Sequence, residues 1–278
     1  MSAKALRRDW VVLISAGLLG LITLAAIAAP WIAPYPFDAQ DAGRLLQPPN
    51  AGHWLGTDRL GRDLLSRLLY GAQVSMTVGV VTALVATAVG IVYGMVAGYI
   101  GGRLDNLLMR LLDVVYALPD LLLIILLTVW LGRGLLGILV ALSLVSWVTV
   151  ARLVRGEVLR LMPSAHVESA RAVGAGHLRI IGRHLLPLIA GPLLVTLSFR
   201  IPAAILAEST LSFIGIGLAP PTPSWGSMAN EGWAALRFYP HLIIVPSVAI
   251  VVTILAFNAL GDWLRDRFDP ITARSAGP

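Results

Sequence analysis

The feature that most constrains this sequence is a series of apolar stretches, each about as long as a lipid bilayer is thick. A helix needs about 20 apolar residues to cross the hydrocarbon core, and residues 11–37 and 71–102 carry no charge at all. The other predominantly apolar stretches are 106–131, 134–151, 185–216 and 238–261. We therefore predict an all-α, polytopic membrane protein with six transmembrane helices.

The composition agrees with a membrane-embedded chain. Of its 278 residues, 57% are hydrophobic and 13% are charged, whereas soluble proteins carry about 25% charged residues. There is no cysteine, which excludes disulfides, thiolate catalysis and cysteine metal sites. The net charge of +6 comes from arginines at the ends of apolar stretches, a pattern that sets membrane orientation. We therefore expect a lipid bilayer, and no nucleic acid, as partner.

The first apolar stretch has two interpretations. Lys4, Arg7 and Arg8 precede it, and small residues near its end would suit a signal-peptide cleavage site. However, the apolar run 11–29 is longer than the roughly 7–15 residues typical of a signal peptide. We favour an uncleaved transmembrane helix.

The basic residues predict the orientation, because cytoplasmic loops are enriched in arginine and lysine. Placing the N-terminus inside puts most of them, including Arg274, on the cytoplasmic side, and both termini are then cytoplasmic. Arg59, Arg62 and Arg67 fall outside and do not fit this rule. The predicted parts are residues 1–32 (N-terminus and first helix), 33–70 (periplasmic segment), 71–264 (five-helix core with a cytoplasmic loop at 152–187) and 265–278 (cytoplasmic tail).

The sequence contains no recognisable catalytic site. Nucleotide hydrolysis by a phosphate-binding loop requires a lysine that follows a glycine-rich turn, and the only lysine is Lys4. The five histidines do not have the spacing of a catalytic zinc site. We predict that the chain is not an enzyme and binds no metal or other cofactor.

The loop at 152–187 carries the most informative local pattern. We expect a short helix to begin near Ser164 and to break at Gly174. A second helix would run from His177 until Pro187 opens the next span. On spacing alone, a solvated loop with a helix-stabilising Glu168–Arg171 pair remains open.

This loop resembles the "EAA" loop of ABC-importer permeases, which reads Glu-Ala-Ala, three residues, Gly, nine residues, then Ile-x-Leu-Pro. The matching positions are Glu168, Ala170, Gly174, Leu186 and Pro187, while Ser169 and His184 depart from the pattern. Residues 53–63, 208–213, 220–226, 257–266 and Asp269-Pro270 resemble further signatures of the same family. The chain is similar to the C-type permease of dipeptide, oligopeptide and nickel importers.

This resemblance implies a fold, a mechanism and a set of partners. The fold is one N-terminal helix before the five-helix core of a type I ABC importer. The expected partners are a second permease, two ATPase subunits that act on ATP and Mg, and a periplasmic or lipid-anchored binding protein, all at a bacterial inner membrane. The residues implied in coupling to the ATPase are Glu168, Ser169, Ala170, Arg171, Gly174, Leu186 and Pro187.

Charged residues within the apolar stretches are further candidates, because a charge in the hydrocarbon core normally faces the bundle interior or water. Arg200 and Glu208 are eight positions apart, so both could border one translocation path or only pair structurally. In the third span, Asp113 and Asp120 would share one helix face, with a kink at Pro119. A structural pairing, such as Arg110 with Asp113, is favoured there.

The second span contains Gly90, Gly94 and Gly98. Small residues at this spacing let two helix backbones approach closely. We favour packing within the subunit over contact with a partner permease.

Two other classes of protein compete with the importer permease. An ion-driven secondary transporter would explain the buried carboxylates but leaves the basic cytoplasmic loop unexplained. A membrane scaffold gives the intramembrane charges no role. Within the importer family, dipeptides, oligopeptides, haem-like ligands and nickel chelates are all open substrates, and peptides are favoured because no cluster of metal ligands is evident.

Overall fold

The structure is a computed structural model that describes the backbone of residues 3–268 and the side chains of residues 10–268. The predictions for residues 1–2 and 269–278, including Arg274 and Asp269-Pro270, lie outside the described part. The helices are α1 (Ala3–Ile32), α2 (Leu64–Ile100), α3 (Gly102–Tyr116), α4 (Asp120–Leu131), α5 (Leu135–Leu161), α6 (Ala165–Ala172), α7 (His177–Ile180), a π-helical turn (Ile181–Leu185), α8 (Leu186–Ile214), α9 (Trp225–Trp233) and α10 (His241–Phe268).

Five helical runs within the described residues are long and apolar enough to cross a membrane. They are Trp10–Ile32, Leu64–Ile100, Leu135–Leu161, His177–Ile214 and His241–Phe268. The pair α3 and α4 makes a sixth span when the two helices are taken together, although they are bent by 82° relative to each other. The prediction of an all-α protein with six spans is confirmed when this broken pair counts as one.

The third span differs from the prediction in its geometry. Helix α3 ends at Tyr116, and Pro119 precedes the first residue of α4 in an extended conformation. Proline disfavours helical backbone at the residue before it, so the chain turns sharply instead of kinking. Asp113 and Asp120 therefore lie on two different helices, and the prediction that they share one helix face is wrong.

Several helix ends also lie outside the predicted limits. Helix α2 begins at Leu64 rather than after residue 70 because Asp63 caps it, accepting a 2.7 Å hydrogen bond from the Ser66 backbone N–H. Helix α5 continues to Leu161, so the first ten residues of the predicted cytoplasmic loop are helical. Pro187 lies in the first turn of α8, as predicted, although the helical run continues without a break from His177 through the π-helical turn into α8.

Helix α2 packs along α5 at the centre of the molecule. A Cβ atom added at Gly90 would lie 2.5 Å from Val150 Cβ, and one at Gly94 would overlap the Ala151 carbonyl oxygen. The structure thus places this glycine face against α5 of the same chain. The close approach buries Val150 and Ala151 completely.

Residues 33–63 form an irregular segment that folds over one end of the bundle. A small apolar cluster joins the start of α2 to α9 and α10 through Leu64, Met228 and Leu242. We call residues 33–63 together with α9 the cap.

Candidate functional site

A short polar segment lies at the end of the bundle between α5 and α8, comprising residues 162–185. Ser164 precedes α6 in an extended conformation, and the chain turns after α6 at Gly174, whose φ is +81°. An L-residue at this φ is sterically disfavoured, because its Cβ approaches the following carbonyl oxygen. The glycine therefore determines where α6 ends and α7 begins.

Helix α6 presents two different faces. Val167 and Ala170 are buried in a cluster with Val158, Ile180 and Leu185, which fixes α6 to the bundle. The remaining residues predicted to couple to an ATPase lie at the surface: Glu168, Ser169, Arg171, Gly174 and Pro187 are exposed and Leu186 is half-buried. Ala170 therefore supports α6 from inside rather than offering a surface to a partner.

Two large apolar side chains stand out on this segment. Val173 is 83% exposed and Leu178 is 86% exposed, and they flank the turn at Gly174–Gly176. Neither residue was among the predicted site residues, although apolar residues on both sides of a glycine turn are a usable sequence signal. Together with Glu168 and Arg171 they form a mixed apolar and charged surface, which we call the docking surface.

One contact joins the docking surface to α2, and a second contact nearby joins α5 to α3. The Tyr99 hydroxyl near the end of α2 lies 2.8 Å from His177 Nδ1 at the start of α7. Arg155 on α5 donates two hydrogen bonds, of 2.6 and 2.7 Å, to the Asp105 carboxylate on α3. Charge-assisted bidentate pairs of this kind fix the relative orientation of two elements.

Glu208 lies in a closed pocket lined by polar side chains. Its side chain is fully buried, and it accepts hydrogen bonds from the hydroxyls of Ser212 at 2.7 Å, Ser75 at 3.3 Å and Ser209 at 3.5 Å. Ser75 in turn accepts a hydrogen bond from the Trp225 backbone N–H at 3.3 Å. Glu208 therefore ties together α2, α8 and the start of α9.

Arg200 lies in a different environment, although it is on the same helix. It lines a cavity of about 190 Å³ between α4, α5 and α8, with Tyr116 and Asp120 at the break between α3 and α4. Their spacing of eight residues predicts that Arg200 and Glu208 could border one path or pair, whereas the structure places Arg200 at a cavity and Glu208 in the protein interior. Asp120, which sequence reasoning assigned to structural pairing, lines the same cavity as Arg200.

The other acidic residue of the third span is engaged by α5. Arg152 donates a 2.7 Å hydrogen bond to the Asp113 carboxylate, and its guanidinium lies 4.1 Å from the centroid of the Tyr116 ring. The expected pairing of Asp113 with Arg110 within one helix is therefore replaced by a pairing between helices. This contact holds the end of α3 against α5 next to the cavity.

A buried ionic network that sequence reasoning missed joins the cap to the first turn of α2. Arg62 donates hydrogen bonds of 2.6 Å both to Asp58 and to Glu231 of α9. Arg67 donates to Asp58 at 2.5 Å and also to Glu231. Two of the arginines that broke the orientation rule are thus neutralised inside the protein. The sequence contained a signal for this network. Arginines that do not fit the orientation rule are expected to pair with carboxylates elsewhere in the chain.

The donor sets in the described residues do not form a metal centre. Among residues 10–268, no group of three or more His, Asp or Glu side chains is placed to hold a metal ion. His53 is instead engaged by Asp63, whose carboxylate lies 2.8 Å from its Nδ1 atom.

Sequence comparison identifies the class of protein that carries these features. The profile of the family described as binding-protein-dependent transport system inner membrane component matches residues 90–274. The profile of the N-terminal transmembrane domain of oligopeptide transport permease C matches residues 1–49. The chain belongs to this family of importer permeases, and it is a multi-pass permease subunit of an ABC importer.

Individual relatives agree with this assignment. Over 270 residues the chain is 44% identical to the glutathione transport system permease protein GsiD of Shigella flexneri serotype 5b (strain 8401), covering 96% of this chain and 88% of the relative. The identity to GsiD of Escherichia coli O157:H7 is 42% over the same length, with the same coverage.

A solved structure shows the same fold. The permease in an inward-facing structure of the MetNI methionine ABC transporter superposes with a TM-score of 0.61 at 16% identity. The match covers 74% of this chain and 98% of that chain. The predictions of the family and of the permease fold are confirmed, and nothing in these comparisons favours a secondary transporter or a scaffold.

Proposed function

We propose that this chain imports short peptides across a bacterial inner membrane, together with a second permease, and that ATP is hydrolysed only by separate ATPase chains. Permeases of this family work with a second permease, ATPase subunits and a substrate-binding protein. The only lysine of the sequence, Lys4, follows no glycine-rich loop. Energy for transport must then reach the chain through a protein contact.

Peptides are the substrates that the relatives support. The matched relatives are named as glutathione permeases, and glutathione is a tripeptide. The N-terminal match to oligopeptide permeases points in the same direction. A nickel importer of the same family is the second candidate, but the described residues offer no metal-binding cluster to support it.

The orientation follows from the basic residues. Arg171, Arg179 and Arg183 all lie in the segment of residues 162–185, and this excess of positive charge favours the cytoplasmic side. The cap then faces the periplasm, where a binding protein delivers substrate, and both termini are cytoplasmic. Arg62 and Arg67 are paired with a carboxylate of the cap, so these two arginines on the outer side no longer argue against this arrangement.

The observation that carries the proposal is the docking surface. Val173 and Leu178 are more than four-fifths exposed on a segment whose other exposed residues are polar or small. Burying a Val or Leu side chain contributes about 1.5–3 kcal/mol, so a groove on a partner gains stability from both. Glu168 beside them supplies a carboxylate for charged or amide donors of the same groove. We infer that this surface seats the chain on an ATPase subunit.

The test separates two roles of this surface: binding of the ATPase subunit and stimulation of its ATP hydrolysis. The double variant Val173→Ser/Leu178→Ser should lose most of the co-purifying ATPase, because two apolar contacts worth about 1.5–3 kcal/mol each are removed. Glu168→Ala should weaken ATP hydrolysis stimulated by peptide-loaded binding protein, because removing one partner of a desolvated charged pair costs about 2–5 kcal/mol. Both are measured on the purified complex, together with uptake of radiolabelled glutathione into vesicles.

Ala172→Ser is the matched control, since Ala172 is exposed on the same segment and has no large side chain. It should keep the full complement of ATPase and normal uptake. A Val173→Ser/Leu178→Ser complex that retains its ATPase and transports at the wild-type rate would contradict the docking assignment. Competition of glutathione uptake by nickel but not by dipeptides would instead favour the second candidate substrate.

A further inference from the structure

The cavity beside the break between α3 and α4 has opposite charges on two of its walls. Arg200 reaches it from α8 and Asp120 from the first turn of α4. Much of the remaining lining is apolar, including Ile124, Leu142 and Val145. A mostly apolar cavity with a few convergent polar groups is the usual form of a small-molecule site.

The two charges interact without neutralising each other by contact. Asp120 is close enough to attract Arg200 electrostatically, but within the described part of the chain no carboxylate lies within the 4.0 Å of an ion pair with Arg200. Arg155 and Arg152 are by contrast hydrogen-bonded to Asp105 and Asp113. Since a charge in a membrane span is costly unless it is paired or hydrated, Arg200 is available for an external partner.

The fold holds this arrangement in place. The 82° bend between α3 and α4 directs Asp120 away from the line of α3. Arg152, the nearest basic side chain on the α5 side of Tyr116, is already engaged by Asp113 and the Tyr116 ring. Asp120 therefore keeps its carboxylate free on one wall while Arg200 keeps its guanidinium free on the other.

The pair of charges selects the chemistry of the ligand. The attraction of an anion to Arg200 is offset by its repulsion from Asp120, and the converse holds for a cation. A zwitterion satisfies both, because its carboxylate can form a bidentate pair with the guanidinium and its ammonium can pair with Asp120. We propose that Arg200 and Asp120 bind the free α-carboxylate and α-ammonium groups of a short peptide on its way through the permease.

This assignment rests on the proposed function and adds a recognition step within the membrane. Each group contributes one charged hydrogen-bonded contact, and the loss of such a contact lowers affinity roughly tenfold to a hundredfold. Peptides with an acetylated N-terminus or an amidated C-terminus should therefore bind less tightly than the free peptide by a factor in this range.

The experiment measures binding of alanyl-alanine, N-acetyl-alanyl-alanine and alanyl-alanine amide to the purified complex of permeases and ATPases, prepared without the binding protein. The wild type should prefer the free dipeptide over both capped forms. Arg200→Gln should abolish the preference over the amide, and Asp120→Asn should abolish the preference over the acetylated form. The exchange Arg200→Asp/Asp120→Arg retains both charges and should restore part of the affinity for the free dipeptide.

Arg237→Gln and Asp262→Asn are the matched controls, because both side chains are exposed away from the cavity; they should keep the wild-type preferences. Equal binding of free and capped dipeptides by the wild type overturns the proposal, as do unchanged preferences in Arg200→Gln and Asp120→Asn. Uptake by the complete importer separates the two levels of inference. Uptake of free and capped peptides at equal rates contradicts only the charge-pair site. Absence of any peptide uptake contradicts the proposed function.

Discussion

Glu208 shows how a single charged residue is accommodated inside a membrane protein. Its carboxyl group lies among the hydroxyls of Ser75, Ser209 and Ser212, and the structure gives it no cationic neighbour within ion-pair distance in residues 10–268. Burying a polar group is costly unless it is hydrogen-bonded. The serines meet this requirement, so Glu208 contributes to the packing of three helices.

This interpretation predicts different effects for two substitutions at position 208. Glu208→Gln keeps an oxygen acceptor for Ser212 and should leave the melting temperature of the purified permease complex near the wild-type value. Glu208→Leu leaves several buried hydroxyls without an acceptor, at about 1–3 kcal/mol each, and should lower the melting temperature clearly. Glu157→Leu is the control, since the partly exposed Glu157 side chain accepts its hydrogen bonds from Arg160 and not from a buried hydroxyl. Equal destabilisation by Gln and Leu would show that the charge itself is required.

At the scale of the elements, the contact of α2 with α5 organises the bundle. Gly90, Gly94 and Gly98 approach the backbone or Cβ atoms of α5 so closely that no side chain fits between the helices. Backbones in close contact gain van der Waals attraction, which is the main force between helices in a membrane. The same helices carry Tyr99 and Arg155, which hold the docking surface and α3. A change in the spacing of α2 and α5 would therefore be transmitted to both.

Gly94→Leu should consequently reduce the yield and thermal stability of the folded chain, because overpacking commonly costs about 1–3 kcal/mol. Gly156→Leu is a suitable control, as a Cβ at Gly156 of α5 would meet no atom within 4 Å. Fluorescence-detected size exclusion of the solubilised chain before and after heating measures both variants. Wild-type stability in Gly94→Leu would mean that α2 and α5 can separate without loss.

At the scale of the whole molecule, the two ends of the bundle have different characters. One end carries the cap, with its ionic network of Arg62, Arg67, Asp58 and Glu231. The other end carries the docking surface, with Val173 and Leu178 exposed. Arg200 and its cavity lie on a span that runs between the two ends. This difference between the two ends fits a chain that receives substrate at the cap and is driven by an ATPase at the docking surface.

The placement of the two ends on opposite sides of the membrane predicts the result of side-specific labelling. The sequence has no native cysteine, so only an introduced cysteine would react. Val173→Cys should react with a membrane-impermeant maleimide only in inverted vesicles, and binding of the ATPase should protect it. Arg237→Cys, in the exposed connection between α9 and α10, should react only in right-side-out vesicles. Labelling of both positions from the same side would contradict the proposed orientation.

The sequence by itself determined the number of membrane spans, the family and the limits of α6. These properties depend on local signals: the length of apolar stretches, the glycine at 174 and short motifs in a fixed order. Such signals act over a few turns of helix, and they do not require knowledge of which faces pack together.

Only the tertiary structure decided how the charged residues are distributed. Arg200 and Glu208 share a helix, yet one lines a cavity and the other is sealed among serines. Glu231 neutralises Arg67 from 164 positions away, a pairing that no local pattern predicts. The bend at Pro119 separates Asp113 from Asp120, and its angle depends on how α4 packs against α5. Whether a charge meets a partner or a cavity depends on the faces that neighbouring helices present, and the packing of the whole chain sets those faces.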